Sequence, residues 1–287
     1  MGSGSVEVKR GNNINISDRA ARLLGIVNSI TNPVTVQSTS YALDVARGNV
    51  AGVKAIEVFG DNPDVDSINV EDIWCYGGTY TYSSSAVIHY ISSSNAGDTQ
   101  SIKVYGLDTN WDLQEVSVTL QGQTKTQIGT GETFIRIWRV KNDGSTDLAG
   151  DLYVYEDDTI TAGIPDTATK VRGHILNGNN QSLMSHFTIP NGKTGYIASC
   201  SAGLSKKKDG LSNIRMYFRE FEKVFQVKGT ETVSSTGSSI WSCNYPFFRA
   251  VYDHNGIQAK TDIKLTADSS VADAGVSASY TILLVDD

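Results

Sequence analysis

Apolar and polar residues alternate with a period of two along most of this chain. Successive side chains of a strand point to opposite faces, so the pattern predicts strands that each bury one face. The segment VSASYTILLVDD is the plainest case. Val276, Ala278, Tyr280, Ile282 and Leu284 share one face, and Ser277, Ser279 and Thr281 share the other. The same reading applies to GVKAIEVFG, SAVIHYISS, QSIKVYGLD, QEVSVTLQG, ETFIRIWRVK, DLYVYED, QSLMSHFTIP, KTGYIASCSAG, NIRMYFREF, KVFQVKG and TDIKLTA. About a dozen strands separated by Gly, Asn, Asp and Ser turns predict an all-β fold, an antiparallel sandwich of jelly-roll type.

One stretch breaks the alternation. In SDRAARLLGIVNS, Ser17 is placed to cap a first turn carrying Asp18, and Ala20, Leu23, Leu24 and Val27 recur at helical intervals, so a short helix is expected there. Gly25 weakens it, and Ile26 with Val27 would suit a strand equally. The polar, β-branched ITNPVTVQSTS that follows reads as extended. Residues 1–45 are therefore expected to form an arm on a β body spanning 46–287. Within that body no Pro-rich or charged linker marks a boundary, which favours one sandwich. Two stacked sandwiches, about 46–165 and 166–287, also fit the spacing.

Composition narrows the class. The 287 residues are 39% hydrophobic, enough to build a sizeable core. The 24 basic residues against 31 acidic ones leave a net charge of -7, which argues against a nucleic-acid or anionic-membrane partner. Cys75, Cys200 and Cys243 are too dispersed for a disulfide framework or a zinc site, and read as buried thiols in a reducing cytosol. No window approaches the roughly 18 apolar residues of a membrane helix. The start MGSGSVEVKRG lacks a leader's apolar core, so cytosolic synthesis and folding are expected.

The search for reaction chemistry yields no enzyme and no cofactor. His89, His174, His186 and His254 show no paired metal-ligand spacing, and His89 and His186 sit inside strand patterns, where packing is the simpler role. The nucleophile elbow GxSxG, a phosphate loop and GxGxxG after a strand are all missing. Carboxylates in NPDVDSINVED and YEDD read as turn residues rather than a glycosidase pair. Lys206, Lys207 and Lys208 read as a solvated hairpin loop.

Three aromatics stand out as interface or stacking residues. Trp241 and Tyr245 lie in SSTGSSIWSCNYPFF, which suits a glycan groove, a subunit contact or core lining. Trp111 lies in GLDTNWDLQEVSVTL, where Asp108, Asn110 and Asp112 alternate like the first ligands of a calcium loop. Such a loop needs Gly at its sixth position and Glu at its twelfth, and Leu113 and Thr119 stand there instead. Residues 109–112 are thus expected to close a hairpin, with Asp108 and Asn110 supplying side-chain turn hydrogen bonds. Trp111 at such a tip is costly to leave bare and marks a place where a neighbouring subunit packs.

Several distinctive segments occur in a set order: VARGNVAGVKAIEVFGDNPDVD, EDIWCYGGTYTY, IKVYGLDTNWDLQEVSVTLQGQT and ETFIRIWRV, then NNQSLMSHFTIPNGKTGYIASCSAG, MYFREFEKVFQVKG, KTDIKL and a final TILLVDD. Over residues 44–287 the chain resembles a virion structural protein of tailed bacteriophages, marine ones especially, whose members are described as capsid-associated, decoration or fibre-like. The resemblance implies a particle component located in the virion and assembled in the host cytoplasm. It further implies contact with the major capsid protein or other virion proteins, and we expect a symmetric homo-oligomer, with a trimer favoured. The alternative is a receptor- or glycan-binding module using Trp111, Trp241 and nearby tyrosines. A depolymerase ranks third, because the repetitive β-helix of such spikes is missing.

Overall fold

A computed structural model of the chain describes residues 41–204, 210–234, 238–239 and 256–287. They belong to two units that divide between Asn49 and Val50. The described part of the first is helix α1 (Tyr41–Ala46), closed by Gly48 at φ +73°, whose amide donates to the Val45 carbonyl. Glycine takes that left-handed turn without steric cost, which is why helices often end on it. The helix expected over 17–29 lies outside the described residues.

Among the described residues, the second unit pairs all its strands antiparallel, and one short 3-10 helix, Ala168–Lys170, interrupts the strands. Its first half contains β1 (Val53–Val65), β2 (Glu71–Asp72), β3 (His89–Ser93), β4 (Ser101–Leu107), β5 (Leu113–Thr119), β6 (Thr126–Gln127), β7 (Arg136–Asn142), β8 (Leu152–Glu156), β9 (Ile160–Thr161) and β10 (Ile164–Pro165). The second half contains β11 (Val171–Ile175), β12 (Phe187–Thr188), β13 (Lys193–Leu204), β14 (Leu211–Arg219), β15 (Gln226–Ser234), β16 (Ser238–Ser239), β17 (Asp262–Ser269) and β18 (Ala274–Asp286).

Two sheets enclose the larger core. One runs β1-β18-β13-β16, and the other β12-β17-β14-β15 with β2 beside β17. β18 shows the predicted alternation along its length: Val276, Ala278, Tyr280, Ile282 and Leu284 are buried, and the residues between them are partly exposed. Ile282 lies opposite Ile56 of β1 on one side and Ile197 of β13 on the other, so each ladder repeats the apolar face of its neighbour. From the second sheet, Ile214, Met216 and Phe218 of β14 and Ile263, Leu265 and Ala267 of β17 join the same core. A fully buried Leu or Ile contributes roughly 1.5–3 kcal/mol, so this alternation dominates the folding of the unit.

The smaller core lies within residues 91–175. It joins Ile91, Val154 and Ile175 of the sheet β11-β8-β3-β6 to Ile102, Val104, Ile137 and Val140 of the sheet β5-β4-β7. Gly106 of β4 admits no side chain. A Cβ there would lie 2.2 Å from the Arg136 carbonyl oxygen and 2.4 Å from Phe134. This close approach coincides with a register shift between Tyr105 and Gly106 on β7.

Two sequence expectations are altered in detail. QSLMSHFTIP, read as a full strand, forms only the two residues of β12, because Met184 bridges instead to Phe59 and Trp74 and Pro190 has no amide to donate. The acidic NPDV, read as a turn, extends β1, and the ladder to β18 is irregular between Asn62 and Val65, where Pro63 sits.

Candidate functional site

Three turns supply the walls of a cleft of about 280 Å³. The first joins β4 to β5, the second joins β14 to β15, and the third precedes β17. In the first, Asp108 Oδ1 accepts hydrogen bonds from the amides of Asn110 (2.8 Å) and Asp112 (2.9 Å). This matches half of the side-chain turn expected from sequence: Asp108 is the acceptor, while Asn110 enters through its backbone amide rather than its side chain. The turn forces Trp111 to φ +67°, and its carbonyl accepts from the Asn191 amide at 2.9 Å. A bulky residue with positive φ is an outlier that the surroundings must hold in place.

The other two turns carry the same signature. Glu222 adopts φ +61° and Lys260 φ +64°, so three of the six non-glycine residues with positive φ among the described residues line this one cleft. The Lys260 amide is fixed to the Ile189 carbonyl at 2.7 Å, and the Lys223 amide to the Glu220 carbonyl at 2.9 Å.

Asp262, 2% exposed at the start of β17, is the floor. Its Oδ1 accepts from Arg136 Nε (2.7 Å) and Thr188 Oγ1 (2.6 Å). Its Oδ2 accepts from Arg136 Nη2 (3.1 Å) and from Arg219 Nε (2.9 Å) and Nη2 (2.6 Å). Burial works against the Arg136 charge, yet the Asp262 carboxylate outweighs it and raises the guanidinium above its ordinary value. A buried carboxylate shared by two guanidiniums is saturated, and the pair of cations exceeds it by one positive charge.

Aromatic rings complete the walls. Trp111 meets Phe221 edge-on at 5.6 Å and lies 4.9 Å from the Arg136 guanidinium carbon. Tyr82 is stacked by Arg219 at 4.5 Å and by Arg136 at 5.1 Å. The Tyr82 hydroxyl is buried and has no hydrogen-bond partner among the described residues, and burial raises its pKa well above the ordinary phenol value. Lys260 Nζ sits 5.9 Å from the Trp111 ring and 5.2 Å from Phe221.

Behind this floor, Lys264 Nζ pairs with Asp72 Oδ1 at 2.7 Å, and His186 stacks on Tyr80 at 4.3 Å. Burial lowers the His186 pKa, as it does for His89 and His174, both depressed to about 4. All three histidines are therefore neutral core residues near neutral pH. Cys75 is buried as well, and burial pushes its thiol up to about 12.

Of the aromatics singled out from sequence, Trp111 lines the cleft, while Trp241 and Tyr245 lie outside the described residues, as do Cys243 and Lys206, Lys207 and Lys208. Sequence reading passed over Arg136, Arg219, Phe221, Lys260 and Asp262. One signal for Arg136 was present: a charge inside the apolar run FIRIW must find a buried partner, although nothing in the run identifies Asp262, 126 residues away.

No known protein family matches the sequence, and no curated protein does. Among solved structures, the infectious bursal disease virus VP2 subviral particle is similar at 11% identity over 82% of this chain and 72% of that one, with a TM-score of 0.20. The Gx strain of the same virus gives the same figures, and the Gt strain gives 10% identity, 86% and 82% coverage and a TM-score of 0.17. A likeness of that size carries no argument about role.

Proposed function

We propose that this chain is a structural component of a tailed-phage virion, a capsid decoration or head-fibre protein that binds the major capsid protein through residues 1–45 and assembles as a homo-oligomer, a trimer being favoured. The sequence resemblance over 44–287 motivates the reading. The structural observation that supports it is the β14–β15 hairpin, which exposes three large apolar residues close in sequence, Phe221, Val224 and Val227, while Ile68, Leu211 and others are exposed elsewhere. Exposed apolar side chains gathered on one hairpin suit a subunit contact repeated over many copies. An arm that orders on a neighbouring subunit can spread its ordering cost along a long contact path.

Mass spectrometry of purified particles should detect the chain at structural copy number, and its absence there would refute the particle role. Deletion of residues 1–45 should leave a folded body that no longer decorates capsids. Normal decoration by the truncated body would show that attachment runs through another surface.

A further inference from the structure

We infer that the cleft between Trp111, Arg219 and Lys260 is a binding site for a single acidic sugar ring, a hexuronate-type group carrying one carboxylate. The inference does not rest on the particle role; it shares Phe221 with the proposed subunit contact and is therefore stated for the unassembled chain.

Three observations carry it. First, on a chain of net charge -7 this cleft reverses the sign. It gathers Arg136, Arg219, Lys223 and Lys260 against Glu220, Glu222 and Asp262. Asp262 is fully engaged by its two guanidiniums and Thr188, so it does not satisfy the remaining donors. Arg219 uses Nε and Nη2 on Asp262, which leaves the Nη1 group without a hydrogen bond among the described residues, on a side chain that is 26% exposed. Lys260 Nζ has no carboxylate partner among the described residues and lies over the Trp111 and Phe221 rings. A guanidinium edge and an ammonium facing one space are what a carboxylate requires.

Second, the walls that flank those donors are aromatic. Trp111 and the half-exposed Phe221 pack edge-on at 5.6 Å and present aromatic surface beside those donors, where the C–H groups of a pyranose can pack. A volume of about 280 Å³ lies just below the range of drug-sized pockets, which suits one ring better than an extended chain.

Third, the geometry is held at a cost. Trp111, Glu222 and Lys260 come from three separate turns and all sit in the left-handed region, which non-glycine residues occupy only when their surroundings hold them there. Strain repeated at one cleft points to an arrangement kept for what it presents.

An NMR titration of the intact chain tests this with three small probes: D-glucuronate, D-glucose and acetate. Glucuronate should shift the Trp111 indole and Arg219 side-chain signals saturably, with affinity on the order of 1 mM. Glucose, which lacks the carboxylate, and acetate, which lacks the ring, should each bind at least about tenfold more weakly. Lys260→Gln, at the rim and outside the Asp262 network, should weaken glucuronate about tenfold. Trp111→Gly should do the same while relieving its own backbone strain, so its spectrum should stay dispersed. Equal binding of glucose and glucuronate, no shift at tens of millimolar, or insensitivity to both substitutions would overturn the assignment. So would tighter binding of a blocked tri-aspartate peptide, which would make the site a reader of acidic peptides.

Discussion

The β4–β5 hairpin finishes its tip with polar chemistry, whereas the β14–β15 hairpin leaves apolar side chains exposed at its tip among Glu220, Glu222 and Lys223. In the first, the Asp108 carboxylate gathers two backbone amides and Trp111 folds back against Arg136 and Phe221. In the second, Val224 stands 75% exposed and Phe221 48%. The first tip is complete within the chain, and the second is complete only if something covers it. The two share one anchor, since Arg136 from the strand beside β4 and Arg219 from the end of β14 both clamp Asp262.

That anchor gives the largest expected effect. Asp262→Ala leaves two guanidiniums beside an empty buried site, and breaking such a pair on one side costs roughly 3–5 kcal/mol. Urea denaturation should show the loss, and both hairpins should lose amide protection together. If only one hairpin loosens, the carboxylate does not couple them.

Acid comes next and acts at buried histidines rather than at either tip. His89 packs edge-on against Phe134 at 5.9 Å, and His174 lies between Tyr76 and Tyr153. Burial depresses both to about 4 in the folded chain, against 6.5 when unfolded. The unfolded chain therefore binds more protons between those values, and stability falls as pH drops from 6.5 towards 4. Each histidine contributes about 3 kcal/mol to that loss. His174→Phe cannot titrate and should flatten the dependence, read as the urea midpoint at pH 7 against pH 4.5. An unchanged slope would show that the buried His174 does not contribute to the acid response.

How far these features could be read from sequence depends on their range. Alternation in VSASYTILLVDD gave the buried face of β18 residue by residue, and the Asp-rich GLDTNWD gave the first hairpin together with its turn acceptor. Both are local, because the period of a strand and the reach of an aspartate are set within a few residues. The pairing of β1 with β18, which ties Val53 to Val285, is not local, and neither is the meeting of Arg136 with Asp262. Such partners are chosen by the whole fold. The second tip was legible only in part: the break between NIRMYFREF and KVFQVKG marks a turn at Glu222, but both runs were carried too far into it, since β14 ends at Arg219 and β15 begins at Gln226.

A smaller effect separates the tips themselves. Asp108→Ala removes an acceptor used by two exposed amides and should cost about 1 kcal/mol, the usual worth of such a bond. Hydrogen exchange should quicken at Asn110 and Asp112 and leave the β14–β15 turn untouched. Exchange that quickens equally in both turns would show that the first tip is held from outside rather than by its own carboxylate.

The smallest change in stability belongs to the open tip and carries the most information about assembly. Val224 touches little within the chain, so Val224→Asp should alter unfolding by less than about 0.5 kcal/mol. If the exposed Phe221, Val224 and Val227 surface is a subunit contact, the same substitution places a charge in a desolvated interface. Association measured by sedimentation equilibrium should then weaken at least about tenfold while the monomer stays folded. Unchanged association would move the contact elsewhere, and the β14–β15 tip would differ from its neighbour only in being bare.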